Sequence, residues 1–300
     1  MYVNDLPSIF EFGTVGLYAD DLQYRISFKP GMERSAICKA ESDTRRLVTY
    51  SENHNIPLNI EKTQPMFLGS SKYINAMRSD VPKITINNVS IPYCDTVHNL
   101  GVIFDPALNW SQHAEYVCKK VLSILCQLRR NSLHLPFNIK TLIVNSVVLP
   151  HLDYGSIIME DMLVTSQIKL QRLQNACVRF IFNLRKSDHV SQFYESLGWM
   201  RLEKRRRLGQ SLLLYNIIQN KTPVYLFNKF KFVSQVHNRS NRFSNKLLVV
   251  PQHRTVKYSK SFIVSASKLW NSLEMHSLLS YSYHGFKVRM KVLLLSNPAV

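Results

Sequence analysis

Two adjacent carboxylates, Asp20 and Asp21, lie in the middle of the segment TVGLYADDLQYRIS, which covers residues 14–27. A short acidic centre between β-forming residues predicts two strands joined by a tight turn. Carboxylate oxygens are the ligands that Mg²⁺ and Mn²⁺ prefer, and such an ion could activate a hydroxyl and stabilise a leaving pyrophosphate. Aspartate is also common in turns, so the pair by itself favours a solvated turn over a metal site.

The stretches that follow this pair predict a mixed α+β region up to about residue 110. The expected elements are a helix over 33–53 ended by Pro57, a loop leading into a short strand over 58–68, two strands over 83–91, and a strand before the turn at Asp105 and Pro106. This succession of strands and a helix is typical of an α+β fold.

Beyond Ser111 the spacing of apolar residues predicts long helices. Four are expected, ending before Pro136, at Pro150, near Leu184 and at Pro223. On the third, Arg172, Arg179 and Lys186 recur every seven residues, which predicts a basic ridge opposite its apolar side. Residues 228–260 predict a long connection with one strand over 247–250, followed by a short helix over 265–273.

The charge of the chain is unevenly distributed. Residues 1–100 carry 10 Lys or Arg and 11 Asp or Glu, whereas residues 101–300 carry 28 and 9, so the last two thirds hold all of the net +18. A surface this basic attracts polyanions, and nucleic acid is expected ahead of membrane. The run from Arg201 to Arg207 is open to three interpretations: a solvated helix face, a nuclear-localisation patch or a phosphate-binding surface.

Several protein classes are excluded by the same sequence. The longest apolar runs are far shorter than the roughly 20 residues that span a bilayer. The first residues are acidic and lack the apolar core of a signal peptide. The five cysteines are odd in number and form no C-x-x-C pair, which predicts reduced and mostly buried thiols. We therefore expect an intracellular protein, nuclear or cytoplasmic and not secreted, with no membrane partner.

Four ordered blocks resemble the reverse transcriptases of non-LTR retrotransposons, which are RNA-directed DNA polymerases. Tyr18-Ala19-Asp20-Asp21 is similar to motif C, and Asn59-Ile60-Glu61-Lys62-Thr63 is similar to motif D. The third block, Leu100-Gly101-Val102 with Asp105, Trp110 and His113, is similar to the primer-grip region. The fourth, residues 149–155 with 170–176, is similar to segments that follow the thumb. Residues 2–7 also resemble the segment that follows motif B. The resemblance covers nearly the whole chain.

The resemblance implies a fold and a domain organisation. A partial polymerase palm, made of a β-hairpin and a helix, is expected over residues 1–110. A mostly α-helical thumb with a basic helical region is expected over 111–225, and a basic C-terminal extension over 226–300.

The resemblance also implies roles for individual residues. Asp20 and Asp21 are expected to be catalytic and metal-binding, Lys62 to lie near the incoming deoxynucleoside triphosphate, and Leu100 and Gly101 to form the primer grip. The cofactor would be Mg²⁺ or Mn²⁺, and the partners an RNA template with a DNA primer, or duplex nucleic acid. The residues expected to contact nucleic acid are Arg172, Arg179, Lys186, Lys204, Arg205, Arg206 and Arg207.

The sequence departs from the family pattern at its beginning. Motif A, which supplies a further metal-binding aspartate, and the motif B helix would precede Met1. Neighbouring residues on extended backbone point to opposite faces, so Asp20 and Asp21 are not expected both to serve a metal pair fully. The leading hypothesis is a truncated reverse transcriptase that is inactive as a polymerase alone. The alternatives are a non-enzymatic nucleic-acid-binding module and a relic reading frame.

Overall fold

The computed structural model describes residues 4–77, 81–236 and 246–296. Tyr2 and Val3 of the first motif, and residues 237–245 of the predicted connection, lie outside the described residues. The chain divides into two compact units, Met1–Leu108 and Asn109–Val300. Unit 1 contains three two-stranded antiparallel sheets and unit 2 is built from helices, so the chain is a mixed α+β protein.

Unit 1 combines three hairpins with two helices. Its elements are β1 (Thr14–Tyr18), β2 (Asp21–Arg25), α1 (Glu33–Asn53), α2 (Ser71–Met77), β3 (Ile84–Ile86), β4 (Val89–Ile91), β5 (Val97–Asn99) and β6 (Val102–Phe104). The predicted aspartate hairpin, the helix over 33–53 and the two strands about Asn87 and Asn88 are confirmed. Both asparagines have positive φ, as the two-residue turn between β3 and β4 requires.

The prediction of a strand within residues 58–68 is wrong. The backbone amides and carbonyls of this segment form hydrogen bonds within a turn and with distant loop residues, and none of them belongs to a sheet. A 3₁₀ turn covers Ile60–Lys62. Further along, the Pro65 carbonyl accepts a hydrogen bond from the amide of Cys94, and the Gly69 amide donates to the Pro106 carbonyl. Pro65 itself has no amide hydrogen to give to a strand ladder.

A buried carboxylate on α1 fixes the start of the chain against this helix. Asp43 has no exposed surface, and its oxygens accept hydrogen bonds from the amides of Glu11, Phe12 and Gly13 at 3.0, 3.0 and 3.2 Å and from the Tyr24 hydroxyl at 2.8 Å. Burial acts to raise the pKa of Asp43, but these hydrogen bonds outweigh it and hold the pKa below the usual value. The segment before β1 is therefore anchored by a buried charge.

Apolar side chains pack around the same helix. Leu47 and Tyr50 are buried with Leu6, and the cross-strand pair Leu17 and Leu22 of the first hairpin packs against them. On another side of α1, a second cluster joins Val48 to the β3–β4 hairpin. Helix α1 is thus the common support of two hairpins.

Unit 2 is helical. Its elements are α3 (Ser111–Arg130), α4 (Phe137–Ile143), α5 (Leu149–Asp153), α6 (Val164–Phe182), α7 (Ser191–Ser196), α8 (Leu202–Asn220), α9 (Val224–Phe227), α10 (Val233–Val236), α11 (Val256–Ser259), α12 (Phe262–Ser272) and α13 (Tyr283–Ser296). Helices α8, α12 and α13 enclose the main described core, in which Trp270, Phe286 and Met290 have no exposed surface. Among the described residues no helix combines the length and apolar content needed to cross a bilayer.

The second predicted helix does not stop at Pro150, contrary to expectation. Helix α4 passes through a π-helical turn over Val144–Val148 directly into α5. Pro150 lies within this continuous helical stretch directly after the π-helical turn, where the regular pattern of helical hydrogen bonds is already interrupted, so its missing amide hydrogen does not end the helix.

The C-terminal part is more ordered than the sequence analysis predicts. Two short helices, α10 and α11, lie in the described part of the expected connection over 228–260, and the expected strand over 247–250 is reduced to a single bridge between Phe232 and Leu248. Helix α13 was not predicted, because apolar residues such as Val288, Val292 and Leu295 also occupy its exposed side and obscure the helical period.

The five cysteines are free thiols, but the expectation that most are buried is wrong. Cys38 and Cys126 are exposed, Cys94 and Cys118 are half-buried, and Cys177 alone of the five is buried. Burial raises the pKa of the Cys177 thiol to about 12.

We expect Asp43→Asn to destabilise unit 1 by about 2–3 kcal/mol, because a hydrogen bond to a buried charged group contributes about 1.5–3 kcal/mol. Urea unfolding at pH 7, followed by circular dichroism, measures the difference. Glu52→Gln is the control, since Glu52 is exposed on the same helix.

The pH dependence has a defined sign. A lowered folded-state pKa stabilises the fold above the ordinary aspartate pKa of about 3.9, and this stabilisation is lost as the pH falls through the folded value. The difference between wild type and Asp43→Asn should therefore shrink in acid. Equal stability of the two proteins at pH 7 would contradict the anchoring role of Asp43.

Candidate functional site: the aspartate hairpin and the basic helices

The aspartate pair occupies the tip of the β1–β2 hairpin. Tyr18 and Asp21 form the last cross-strand pair, so Ala19 and Asp20 are the two turn residues. Ala19 has a φ of 53°, a left-handed conformation that costs an alanine about 1 kcal/mol or more. Asp20 and Asp21 are both exposed. The hairpin therefore presents its two carboxylates to solvent.

The hairpin is held at its base by Gly13 and Tyr24. A Cβ atom at Gly13 would lie 2.2 Å from the Tyr24 ring, so only glycine allows this approach. The Tyr24 hydroxyl donates to the Asp43 carboxylate, and burial together with this bond raises the Tyr24 pKa. Asp43 was missed by the sequence analysis, although a carboxylate within the apolar stripe Ala36-Ala40-Leu47 was a detectable signal.

A side-chain hydrogen bond joins this hairpin to the β5–β6 hairpin. The Gln23 amide donates to the Asn99 oxygen at 3.0 Å. Alternation along β2 places Asp21 on the same face as Gln23, and Asn99 immediately precedes the turn residues Leu100 and Gly101. The structure thus brings the predicted metal-binding hairpin and the predicted primer-grip hairpin together within unit 1.

Leu100 and Gly101 form a two-residue turn. Their φ angles are 47° and 75°, the pattern of a type I′ hairpin turn. Such a turn matches the right-handed twist of the flanking strands, so the register of β5 and β6 is fixed by these two residues. Leu100 is 39% exposed at the tip.

Lys62 lies in a turn whose other motif residues have structural roles. The Asn59 side chain accepts a hydrogen bond from the Lys62 amide at 3.1 Å, and the Thr63 hydroxyl donates to the Asn59 carbonyl at 3.1 Å. Asn59 and Thr63 therefore close the turn and leave the Lys62 side chain exposed. No hydrogen bond within the described residues joins Lys62 to the aspartate hairpin.

The described residues do not supply a complete divalent-metal site at the hairpin. A protein site for such an ion takes several oxygen ligands, and a two-metal centre needs more than one pair of carboxylates. Across residues 4–77, 81–236 and 246–296, no group of three or more His, Cys, Asp or Glu side chains is placed to hold a metal ion. Asp20 and Asp21 can provide oxygen ligands, but they lack a third carboxylate in this part of the chain.

Most of the basic residues between Arg201 and Arg207 form ion pairs or hydrogen bonds with other parts of the protein. The Arg205 guanidinium pairs with Asp153, with Nε at 2.9 Å from Oδ1. Arg207 pairs with Glu203 at 3.0 Å. Lys204 donates to the Leu294 carbonyl at the end of α13. These cations stabilise helix contacts and helix ends.

Arg206 is the most buried member of this run, with 6% of its surface exposed. Burial lowers the pKa of its guanidinium, and the nearby carboxylates of Glu160, Glu203 and Asp153 oppose that effect. The neighbouring buried Gln210 lies within 3.4 Å of Glu160. Arg206 therefore belongs to an internal polar cluster.

The predicted ridge of Arg172, Arg179 and Lys186 does not form, because α6 ends at Phe182. Lys186 lies beyond the helix and is exposed in the following loop. Arg179 is half-buried, and its Nη2 donates to the Asp188 carbonyl at 2.9 Å across that loop. Of the three, only Arg172 remains an exposed helix cation.

Exposed cations on α3 were missed by the sequence analysis. Lys119, Lys120, Arg129 and Arg130 are exposed, and none of them forms an ion pair with a carboxylate in the described part of the chain. Helix α3 packs along α6, which carries Arg172. The signal was available as polar positions between the buried residues Val117, Val121 and Leu125.

Polar residues of the 170–176 block join α6 to α7 and to the start of α8. Gln171 donates to the Tyr194 hydroxyl at 2.8 Å and accepts from the Leu202 amide at 3.0 Å, while buried Gln174 donates to the Met200 carbonyl at 2.8 Å. The block is thus satisfied by internal hydrogen bonds, a structural explanation of its residue types.

No protein-family model, curated protein or solved structure matches this chain. The resemblance described above is thus carried by the sequence motifs.

Substitution of a buried cation should lower the free energy of unfolding more than substitution of an exposed one. We expect Arg206→Ala to lower the free energy of unfolding by about 2–3 kcal/mol, because it removes the packing of a long side chain that is only 6% exposed and leaves its space unfilled. Arg172→Ala, at an exposed position, should change it by less than about 0.5 kcal/mol. Thermal and urea unfolding of both variants test this. A destabilisation by Arg172→Ala equal to that by Arg206→Ala would show that the division is wrong.

Proposed function

We propose that this chain is part of an RNA-directed DNA polymerase of the non-LTR retrotransposon class, and that by itself it binds nucleic acid without extending a primer. The observation that carries the proposal is the Gln23–Asn99 hydrogen bond at 3.0 Å. It joins the hairpin bearing Asp20 and Asp21 to the hairpin bearing Leu100 and Gly101. A polymerase of this class needs its metal-binding aspartates and its primer grip side by side.

The second part of the proposal, that the chain does not extend a primer, follows from the number of carboxylates available to bind a metal ion. The described residues place two carboxylates at the hairpin tip and no third one beside them. Lys62 lies on an exposed turn, free to approach an anionic ligand but without a hydrogen bond to the hairpin. We therefore expect this chain to lack primer extension unless another carboxylate completes the site.

Primer extension on poly(rA)·oligo(dT) with Mg²⁺ or Mn²⁺ tests this expectation. We expect the purified chain to incorporate no more nucleotide than Asp20→Asn and Asp21→Asn. Glu61→Gln is the matched control, since it removes one exposed carboxylate from the loop beside Lys62. Incorporation by wild type and Glu61→Gln that disappears in Asp20→Asn would refute the inactivity and demonstrate a completed site.

A second candidate function is a non-enzymatic nucleic-acid-binding module. It is favoured by the exposed cations Arg129 and Arg130 of α3 and Arg172 of α6, which have no carboxylate partner among the described residues, in contrast to Arg205 and Arg207. Such cations bind phosphates and release condensed counterions, so the affinity is expected to fall steeply with salt and to depend little on sequence. The phosphate-binding surface is then α3 with Arg172, whereas the run on α8 forms contacts with α5 and α13.

We expect the triple variant Arg129→Ala, Arg130→Ala and Arg172→Ala to reduce the slope of log K against log salt by about 3, roughly one unit for each lost phosphate contact. Fluorescence anisotropy with a labelled RNA–DNA duplex between about 50 and 200 mM salt measures this slope.

The matched control for this measurement is the triple variant Lys229→Ala, Lys231→Ala and Lys246→Ala. It removes the same charge from three exposed positions of unit 2 that lie outside α3 and α6. Equal slopes for the two triple variants would show that α3 and Arg172 are not the binding surface. An affinity of the wild type that does not change with salt would refute nucleic-acid binding through phosphate altogether.

A further inference from the structure

A serine hydroxyl follows a pair of arginines at the end of α3. The sequence there is Arg129-Arg130-Asn131-Ser132-Leu133. Arginine-directed protein kinases select a serine that has arginines two and three positions before it and an apolar residue directly after it. In the sequence of this chain, the arrangement Arg-Arg-x-Ser or Arg-Arg-x-Thr occurs once. The segment therefore has the residue types of a phosphorylation site.

The hydroxyl of Ser132 is not used by the fold. Ser132 is half-buried and begins a 3₁₀ turn over Ser132–His134, between α3 and α4. Its Oγ forms no hydrogen bond with the residues that the structure describes. By contrast, the hydroxyls of Thr141 and Ser146 in the following helical stretch donate to backbone carbonyls at 2.9 and 2.8 Å. Ser132 can therefore accept a phosphoryl group without losing a structural hydrogen bond.

The turn that contains this serine is weakly held. Leu133 is 95% exposed. The amide of His134 donates to the Asn131 carbonyl at 3.2 Å, and the amide of Leu135 donates to the Ser132 carbonyl at 3.3 Å. Both bonds are longer than the usual distance of about 2.9–3.0 Å. A short surface turn of this kind opens locally at a small cost in free energy, which allows an enzyme to bind it.

The charges around the serine suit an enzyme that recognises arginine through carboxylates. Arg129 and Arg130 are exposed, and neither forms an ion pair with a carboxylate in the described part of the chain. From Tyr116 to Leu152 the sequence contains no Asp or Glu. Both guanidinium groups are thus available for charge-assisted hydrogen bonds to a kinase.

We propose that Ser132 is phosphorylated by an arginine-directed serine/threonine kinase, and that the phosphate prevents Arg129 and Arg130 from binding nucleic acid. In this reaction Ser132 Oγ forms a bond to the γ-phosphorus of ATP, while the bond from that phosphorus to the bridging oxygen breaks and ADP leaves. The hydroxyl proton passes to the catalytic aspartate of the kinase. The second half of the proposal rests on the proposed binding of nucleic acid through α3.

The added charge is large enough to oppose both arginines. A phosphoserine carries about −1.5 to −2 charges near pH 7. Side chains three residues apart on helical backbone are neighbours, so Arg129 lies within reach of a phosphate on Ser132. Arginine binds phosphate with strong, often bidentate hydrogen bonds, which also offset the unfavourable position of a phosphate at the end of a helix. Arginines paired in this way no longer release counterions from nucleic acid.

Incubation of the purified full chain with ATP and the catalytic subunit of cAMP-dependent protein kinase tests the modification. We expect mass spectrometry of its peptides to locate phosphate on Ser132, and Ser132→Ala to lose it. The double variant Arg129→Ala and Arg130→Ala should lower kcat/KM for this serine at least about tenfold, because charge-assisted contacts to the kinase are lost. The matched control is Lys229→Ala with Lys231→Ala, which removes the same charge from exposed positions elsewhere in unit 2.

Two results would overturn the assignment of the site, once circular dichroism shows that the variants are folded. The first is a chain that acquires no phosphate on Ser132. The second is an equal loss of kcat/KM in the arginine and the lysine double variants, since the kinase would then respond only to the overall charge.

The effect on binding is measured by fluorescence anisotropy with a labelled RNA–DNA duplex between about 50 and 200 mM salt. We expect phosphorylation to reduce the slope of log K against log salt by about 2, one unit for each arginine, and phosphatase treatment to restore it. Ser132→Ala taken through the same kinase reaction is the control, because any phosphate on other residues remains in it.

The outcomes separate this proposal from the proposed function. A phosphorylated chain with the same slope as the unmodified chain overturns the effect on binding. An unmodified chain that binds no nucleic acid refutes the proposed function, and with it the effect on binding. The assignment of Ser132 as the modified residue is decided in either case by the mass spectrum.

Discussion

The hydrogen bonds to the buried Asp43 carboxylate connect the parts of unit 1 on which its candidate site depends. One side chain on α1 binds the amides that precede β1 and the Tyr24 hydroxyl on β2, so the aspartate hairpin is fixed at its base. In this arrangement Gly13 lies so close to the Tyr24 ring that a Cβ atom at this position would clash with it. From this base, β2 carries Gln23 to Asn99 and thereby positions the neighbouring hairpin. A charge with no solvent contact thus orients two exposed turns.

Much of unit 1 could be predicted from the sequence because its signals are local. Alternation of residue types located the first hairpin, and apolar spacing located α1 with both of its ends. The failures come from interactions between distant residues. The loop carbonyl of Pro65 is satisfied by Cys94, and Asp43 is buried by a segment thirty residues earlier. Neither partner is visible in a short window of sequence.

The residues predicted to contact nucleic acid also show that a local sequence pattern does not reveal tertiary contacts. A count of charges located the basic part of the chain, but it could not separate the cations that bind protein from those that face solvent. Arg206 is buried and Arg179 is bound to a loop carbonyl, whereas Arg172 is exposed on the same helix as Arg179. The difference depends on where α6 ends and on how α8 packs, which are tertiary properties. The spacing of seven residues holds only while the helix continues.

The internal use of these arginines and of Lys204 has a consequence for how the sequence can change over evolutionary time. Substitutions that remove Arg205 or Arg206 would be opposed by the requirement for a folded protein, whether or not the chain still contacts a polyanion. Arg129 and Arg130 are exposed, so the stability of the fold does not oppose their substitution in the same way. If the chain binds nucleic acid as proposed, a descendant that lost this binding would keep the run on α8 while the surface of α3 drifted towards neutrality. Conservation of the basic residues on α8 would therefore say little about nucleic-acid binding. Conservation of the exposed basic residues on α3 would be the informative observation.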